Sequence, residues 1–206
     1  MSIVKLNNKA VSNATAFGSI SSLGSMTFIK KLTASSSATL SFVDGASSVV
    51  LDNTYKEYVF TWKDIHPATD GASFQFNMSI DSGSNYNVTK TTTYFTAYNY
   101  ESGGSPALTY AASVDLAQST AFQNVNSGVG SDNDQCAVGT LHLFNPSSTT
   151  FVKNFITNGN TAEASDLSSN VFVAGYGNTT SSIDAVRFQM SSGNIDAGDI
   201  CLYGIA

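Results

Sequence analysis

The sequence predicts an all-β domain of antiparallel strands, a sandwich or a barrel. Three observations lead there. Apolar residues recur at a period of two along most of the chain, the pattern of strands with one buried face. Turn formers such as Asp44-Gly45, Asp70-Gly71 and Asn145-Pro146 separate these runs at sandwich or barrel spacing. Charged residues are only 12% of the chain, about half the usual ~25%. Ser, Thr, Asn and Gly take their place, which suits strands and turns and not Glu- and Lys-faced helices. At 206 residues the chain is long enough for one sandwich with its own core and needs no second domain.

Residues 1–25 are small and polar with irregular apolar positions (Ile3, Val4, Leu6, Val11, Phe17, Ile20), and read as an extended N-terminal arm or edge strand. Residues 26–206 read as the β-sandwich domain. MTFIKKL, ATLSFV and SSVVL form a hairpin or meander around Asp44-Gly45. YKEYVFTW alternates, with Tyr58, Phe60 and Trp62 on one face. ASFQFNMSI is the clearest half-buried strand, placing Phe74, Phe76, Met78 and Ile80 together. TTTYFTAYNY and ALTYAA follow, and the stretch from Ser113 to Gln135 carries little signal. AVGTLHLFN and TTFVKNFIT form a hairpin. TNGNTAEASDLSS reads as a polar loop with room for a helical turn. NVFVAGY, SIDAVRFQM and DICLYGI complete ten to twelve strands.

Composition excludes several functions. A net charge of −6 with one arginine, Arg187, leaves no basic patch for nucleic acid or an anionic membrane surface. No segment approaches the ~18 apolar residues of a membrane span. No apolar run near the N-terminus suits a secretory signal, so the expectation is synthesis and folding in a cytoplasm. Cys136 and Cys201 are expected to stay unbridged there.

Chemistry is equally sparse. His66 and His142 stand far apart, with no zinc-ligand spacing. No nucleophile elbow, phosphate loop or dinucleotide fingerprint occurs. Only three glutamates (Glu57, Glu101, Glu163) could join the aspartates in a carboxylate pair for glycoside hydrolysis. The expectation is no enzyme, no catalytic residue, no cofactor and no metal site. The loops Ser131–Asp134 and Asp81–Asn85 offer hard oxygens to calcium, but solvated turns account for them better. Trp62, Tyr94, Tyr98, Tyr100 and Tyr110 are candidates for stacking on a sugar, against the plainer role of filling a core or an interface.

Two stretches resemble a family of marine bacteriophage virion structural proteins. One runs from Tyr55 to Tyr86, an aromatic strand leading through IHPATDGASFQFNMSIDSGSNY; the other is IDAVRFQMSSGNIDAGDICLYGI. The matching elements are the Asp81–Tyr86 turn and the Ser192–Gly204 terminus, and the two stretches that hold them cover about a quarter of the chain. The resemblance implies a jelly-roll-like antiparallel β-sandwich on a phage particle. Relatives of this kind serve as tail-fibre domains or stand-alone particle proteins, and this chain has no heptads or collagen-like repeat to build a fibre shaft. The expected function is therefore a capsid decoration or cement protein on the virion, a homotrimer bound to the major capsid protein. The alternative is a tail-associated receptor-binding module for a host surface glycan. The apolar C-terminal run ICLYGI is expected to form an edge strand that a neighbouring subunit covers.

Overall fold

A computed structural model describes residues 26–104 and 106–205; the expected N-terminal arm, residues 1–25, lies outside the described residues. Twelve strands are present among them, all paired antiparallel: β1 (Met26–Thr33), β2 (Leu40–Val43), β3 (Glu57–Pro67), β4 (Ala72–Ser79), β5 (Lys90–Tyr100), β6 (Ala107–Tyr110), β7 (Gln123–Val129), β8 (Ala137–Phe144), β9 (Lys153–Glu163), β10 (Leu167–Gly177), β11 (Ala185–Met190) and β12 (Ile195–Ile205).

The pairing order explains the architecture. β1-β12-β3-β8 form one layer and β2-β11-β4-β7 the facing layer. The chain thus folds as one long hairpin: the outer strands pair 1 with 12 and 2 with 11, the inner ones 3 with 8 and 4 with 7. Rolled up, β12 also meets β3 and β11 also meets β4. This is a jelly-roll sandwich of eight strands. Two insertions enlarge it. The β5–β6 hairpin lies between β4 and β7, and the β9–β10 hairpin between β8 and β11. They extend the first layer as β8-β9-β10-β5-β6. A single residue pair, Val129 on β7 with Glu163 on β9, joins the two layers and almost closes a barrel.

Rings fill the space between layers. Phe188 on β11 stacks on Phe74 with centroids 5.6 Å apart and lies 5.5 Å from Phe60 across the sandwich. Trp62 meets Phe74, and Phe76 meets Phe155 edge-on at 5.0 Å. Each of these rings is buried. Burying a large apolar side chain is worth about 1.5–3 kcal/mol, which makes this layer the main source of stability.

Several expectations need correction. MTFIKKL and ATLSFV do not pair with each other; they enter different layers as β1 and β2, because the chain crosses the sandwich at Ala34–Ser37. SSVVL is not a strand: Ser47 and Ser48 adopt positive φ, and Val49 and Leu51 plug the core from a turn. Ile80 lies past the end of β4 and is exposed. Ser113–Gln135 contains β7. TNGNTAEASDLSS holds no helical turn; it is the tip of the β9–β10 hairpin, which reverses at Ala164–Asp166 with Asp166 at φ +56°. ICLYGI is no edge, since β12 sits between β1 and β3. The β8–β9 hairpin forms as expected, turning at Asn145. Cys136 and Cys201 are both free and half-buried.

Candidate functional site

The residues singled out in the sequence scatter. Trp62 is a core residue, its indole N–H donating to Asn126 Oδ1 at 2.9 Å. Tyr94 is buried and bonds Ser127 Oγ at 2.6 Å, and burial raises its hydroxyl pKa to about 12. His142 sets Nδ1 2.6 Å from Glu57 Oε1, while His66 lies beside the Asp132 carbonyl. The Asp81 carboxylate spends its oxygens on its own turn: Oδ1 accepts from Ser79 Oγ and Asn85 N, Oδ2 from Asn85 Nδ2. These bonds hold its pKa below the usual range. The Asp132–Asp134 loop borders a hollow of about 440 Å3 with Asp64, His66 and Asp196. Among the described residues no three His, Cys, Asp or Glu converge as metal ligands.

Two surface features remain, and the insertions build both. The first is the outer face of the extended layer. On β8, β9, β10, β5 and β6 the acidic or basic residues are Lys90, Lys153, Glu163 and His142; alternation turns the first three inward, and His142 faces outward on β8 with its Nδ1 against Glu57 of β3. The other outward residues are Asn, Thr, Ser168 and apolar groups. Phe95 and Phe172 pair across β5 and β10 and stack with centroids 5.1 Å apart. Ile156, Leu108 and Tyr110 are exposed beside them. An apolar trough of about 500 Å3 runs over Ala174 and Gly175 between Phe144 and Tyr176. Gly175 is fixed by its neighbours on β5, since a Cβ there would lie 2.5 Å from the Thr91 carbonyl oxygen and 2.6 Å from the Thr92 methyl.

The second feature is a hollow of about 300 Å3 on the opposite, inward-turning face, past the end of the small layer. Tyr98 and Tyr100 of β5 line it with Ser169 and Leu167 of β10, their register partners, and Glu163 of β9. Burial pushes the Glu163 carboxyl above the usual range, against a hydrogen bond from Ser169. Of the tyrosines nominated from the sequence, Tyr98 and Tyr100 meet here and Tyr110 lies on the outer face.

Compared with known proteins, the chain matches no protein-family model, no curated protein and no solved structure. Sequence reasoning named Glu163 only as one of three glutamates open to a carboxylate pair and did not place it on a strand, because its neighbours are Asn, Thr, Ala and Ser with no apolar rhythm to mark one. The alternation was there: Thr157 and Thr161 point inward with Phe155, Asn158 and Asn160 outward.

Proposed function

We propose that the chain is a non-enzymatic structural protein of a bacteriophage particle, a decoration or cement protein that packs on the major capsid protein as a homotrimer. One observation carries this reading: five adjacent strands present an outer face without a single Asp, Glu, Lys or Arg side chain, with one histidine, His142, and several exposed rings. A free monomer keeps its surface charged and its apolar patches small. A face of this breadth with so little charge suits burial against a neighbour, with aromatic anchors at the centre and hydrogen-bonding Asn and Thr around them. The jelly-roll sandwich and the motif resemblance at Asp81–Tyr86 and Ser192–Gly204 agree with the same setting.

The test is the number of copies on purified particles, read from quantified gel bands and an image reconstruction. A decoration protein occurs in fixed proportion to the shell protein. Particles lacking it release their genome at lower temperature, because a bound cement stabilises the state it binds. A few copies confined to the tail, with lost adsorption to host cells and unchanged heat stability, would instead establish the receptor-binding role.

A further inference from the structure

We infer that the Tyr98–Tyr100–Glu163 hollow is a saccharide-binding site. It goes beyond the particle role and is independent of it, because sugar binding is measured on the isolated protein.

The position is the first argument. The hollow is built by β5, β9 and β10, the strands that the insertions add to the eight-stranded roll. The eight strands of the jelly roll pair among themselves without them, and sites are commonly grafted on a fold in this way. Register brings the lining together in two rows. Tyr100, Leu167 and Glu163 are neighbours across β5, β10 and β9; Tyr98, Ser169 and Thr161 form the next row.

The chemistry is the second. Among the described residues the ion pairs are Lys31–Asp199, Lys63–Asp64, Lys63–Asp199 and His142–Glu57, and Glu163 takes part in none. It is nevertheless half-buried, held at the seam between layers by its pairing with Val129. Gly128 at φ +62° makes room for it, since a Cβ there would lie 2.9 Å from Glu163 Oε2. A carboxylate desolvated without a cation gains from a ligand that donates hydrogen bonds. Beside it stand hydroxyls that both donate and accept: Ser169 is buried and 3.0 Å from Thr96 Oγ1, and Ser165 completes the rim.

The rings are the third. Tyr98 and Tyr100 meet at 88° with centroids 5.8 Å apart, so one can offer its face while the other closes a side. A pyranose has an apolar face for a ring and hydroxyls for a carboxylate and serines. A quaternary ammonium would meet the rings and the carboxylate but leave the hydroxyls unpaired. A cavity of about 300 Å3 is at the small end of ligand sites and suits one or two sugar rings. A second hollow of the same size shares Tyr100 and Leu167 and brings in Asn160 and Glu101, which gives a chain of sugars a direction to continue.

The test titrates the protein with methyl glycosides of glucose, galactose, mannose and N-acetylglucosamine, and separately with tetramethylammonium, following backbone amides by NMR. At least one glycoside should shift amides of residues 96–100 and 163–169 saturably. Glu163→Gln should weaken that binding by about tenfold, the loss of a charged hydrogen bond, and Tyr98→Ala should abolish it while distant amides stay in place. Should Glu163→Gln fail to fold, Tyr98→Ala and Tyr100→Ala carry the same decision, since both rings are partly exposed. Three outcomes overturn the proposal: no glycoside moves these amides, tetramethylammonium alone moves them, or the variants bind as the parent does.

Discussion

Lys90 and Lys153 occupy equivalent places on either side of Gly177, each its register partner on a neighbouring strand. Both are buried. The Lys90 ammonium donates to Asn77 Oδ1 at 2.5 Å and to the Val88 carbonyl at 2.9 Å; Lys153 donates to the carbonyls of Ser148, Phe151 and Thr179. No carboxylate faces either amine within ion-pairing distance among the described residues. Burial therefore dominates and lowers the Lys90 pKa from 10.5 to about 7. The sign of the effect on stability follows. Folded Lys90 loses its proton near pH 7 and unfolded Lys90 only near 10.5, so between those values the unfolded chain binds more protons and stability climbs with pH. Below 7 the cost of burying the charge is present in full. Tyr58 and Tyr94, both raised from 10.0 to about 12 by burial, act in the other direction above pH 10, where the unfolded chain ionises first. Lys90→Met isolates the lysine, because Asn77 Oδ1 keeps its bond from the Met78 amide. Unfolding midpoints across this range should rise more steeply in the parent than in the variant from pH 7 toward 10.5. Parallel curves would mean that Lys90 does not titrate there.

At the level of elements, the sandwich depends on one polar node inside an apolar core. Asn126 of β7 accepts from the Trp62 indole and donates to Thr161 Oγ1 at 2.9 Å and the Asn160 carbonyl at 3.1 Å, so it ties β3, β7 and β9 together. Gly159 on β9 gives it room: a Cβ there would lie 2.6 Å from Asn126 Nδ2. Gly139 does the same for Trp62, whose Cζ2 would be 2.5 Å from the added carbon. Gly159→Ala should cost about 1–3 kcal/mol through overpacking, read as a lower urea midpoint with an unchanged slope. An unchanged midpoint would show that the node relaxes freely. These glycines also mark where the sequence stops being readable. Phe74, Phe76 and Met78 alternate with polar residues, and their strand is plain from the sequence. Phe188 and Phe60 are equally plain as apolar positions. Which strand each faces depends on the order in which twelve similar strands pair, and no local pattern of apolar residues encodes that order. TNGNTAEASDLSS reads as a loop because Thr, Gly and Asn carry no apolar signal on either face. The tyrosines of β5 were visible as candidates for sugar stacking. Glu163 became a partner for them only when β9 and β10 placed it two strands away.

Across the whole molecule, charge and edges divide the labour. Among the described residues the edges left unpaired are guarded: β2 and β6 have four residues each, and β1 carries Lys30 and Lys31. Short or lysine-bearing edges discourage strand-to-strand pairing between molecules. The outer face of β8-β9-β10-β5-β6 has no such guard, so association is expected through the face and not through an edge. Ile156, about half exposed at 52%, lies in this face next to the trough over Ala174. Ile156→Asp places a carboxylate in a surface whose five strands present none, beside its register partner His142, at little cost to a fold in which the side chain already meets solvent. If copies of the chain meet through this face, sedimentation should find the parent as an oligomer and Ile156→Asp as a monomer, with the same unfolding midpoint at concentrations where both are monomeric. A closed rotational assembly would bury the same face three times over in the trimer. If the parent is monomeric at every concentration but Ile156→Asp no longer attaches to undecorated capsids, the face belongs to the shell protein and the homotrimer is withdrawn. If the variant both associates and attaches as the parent does, this charge-poor face is not an interface, and the particle role loses the observation on which it stands.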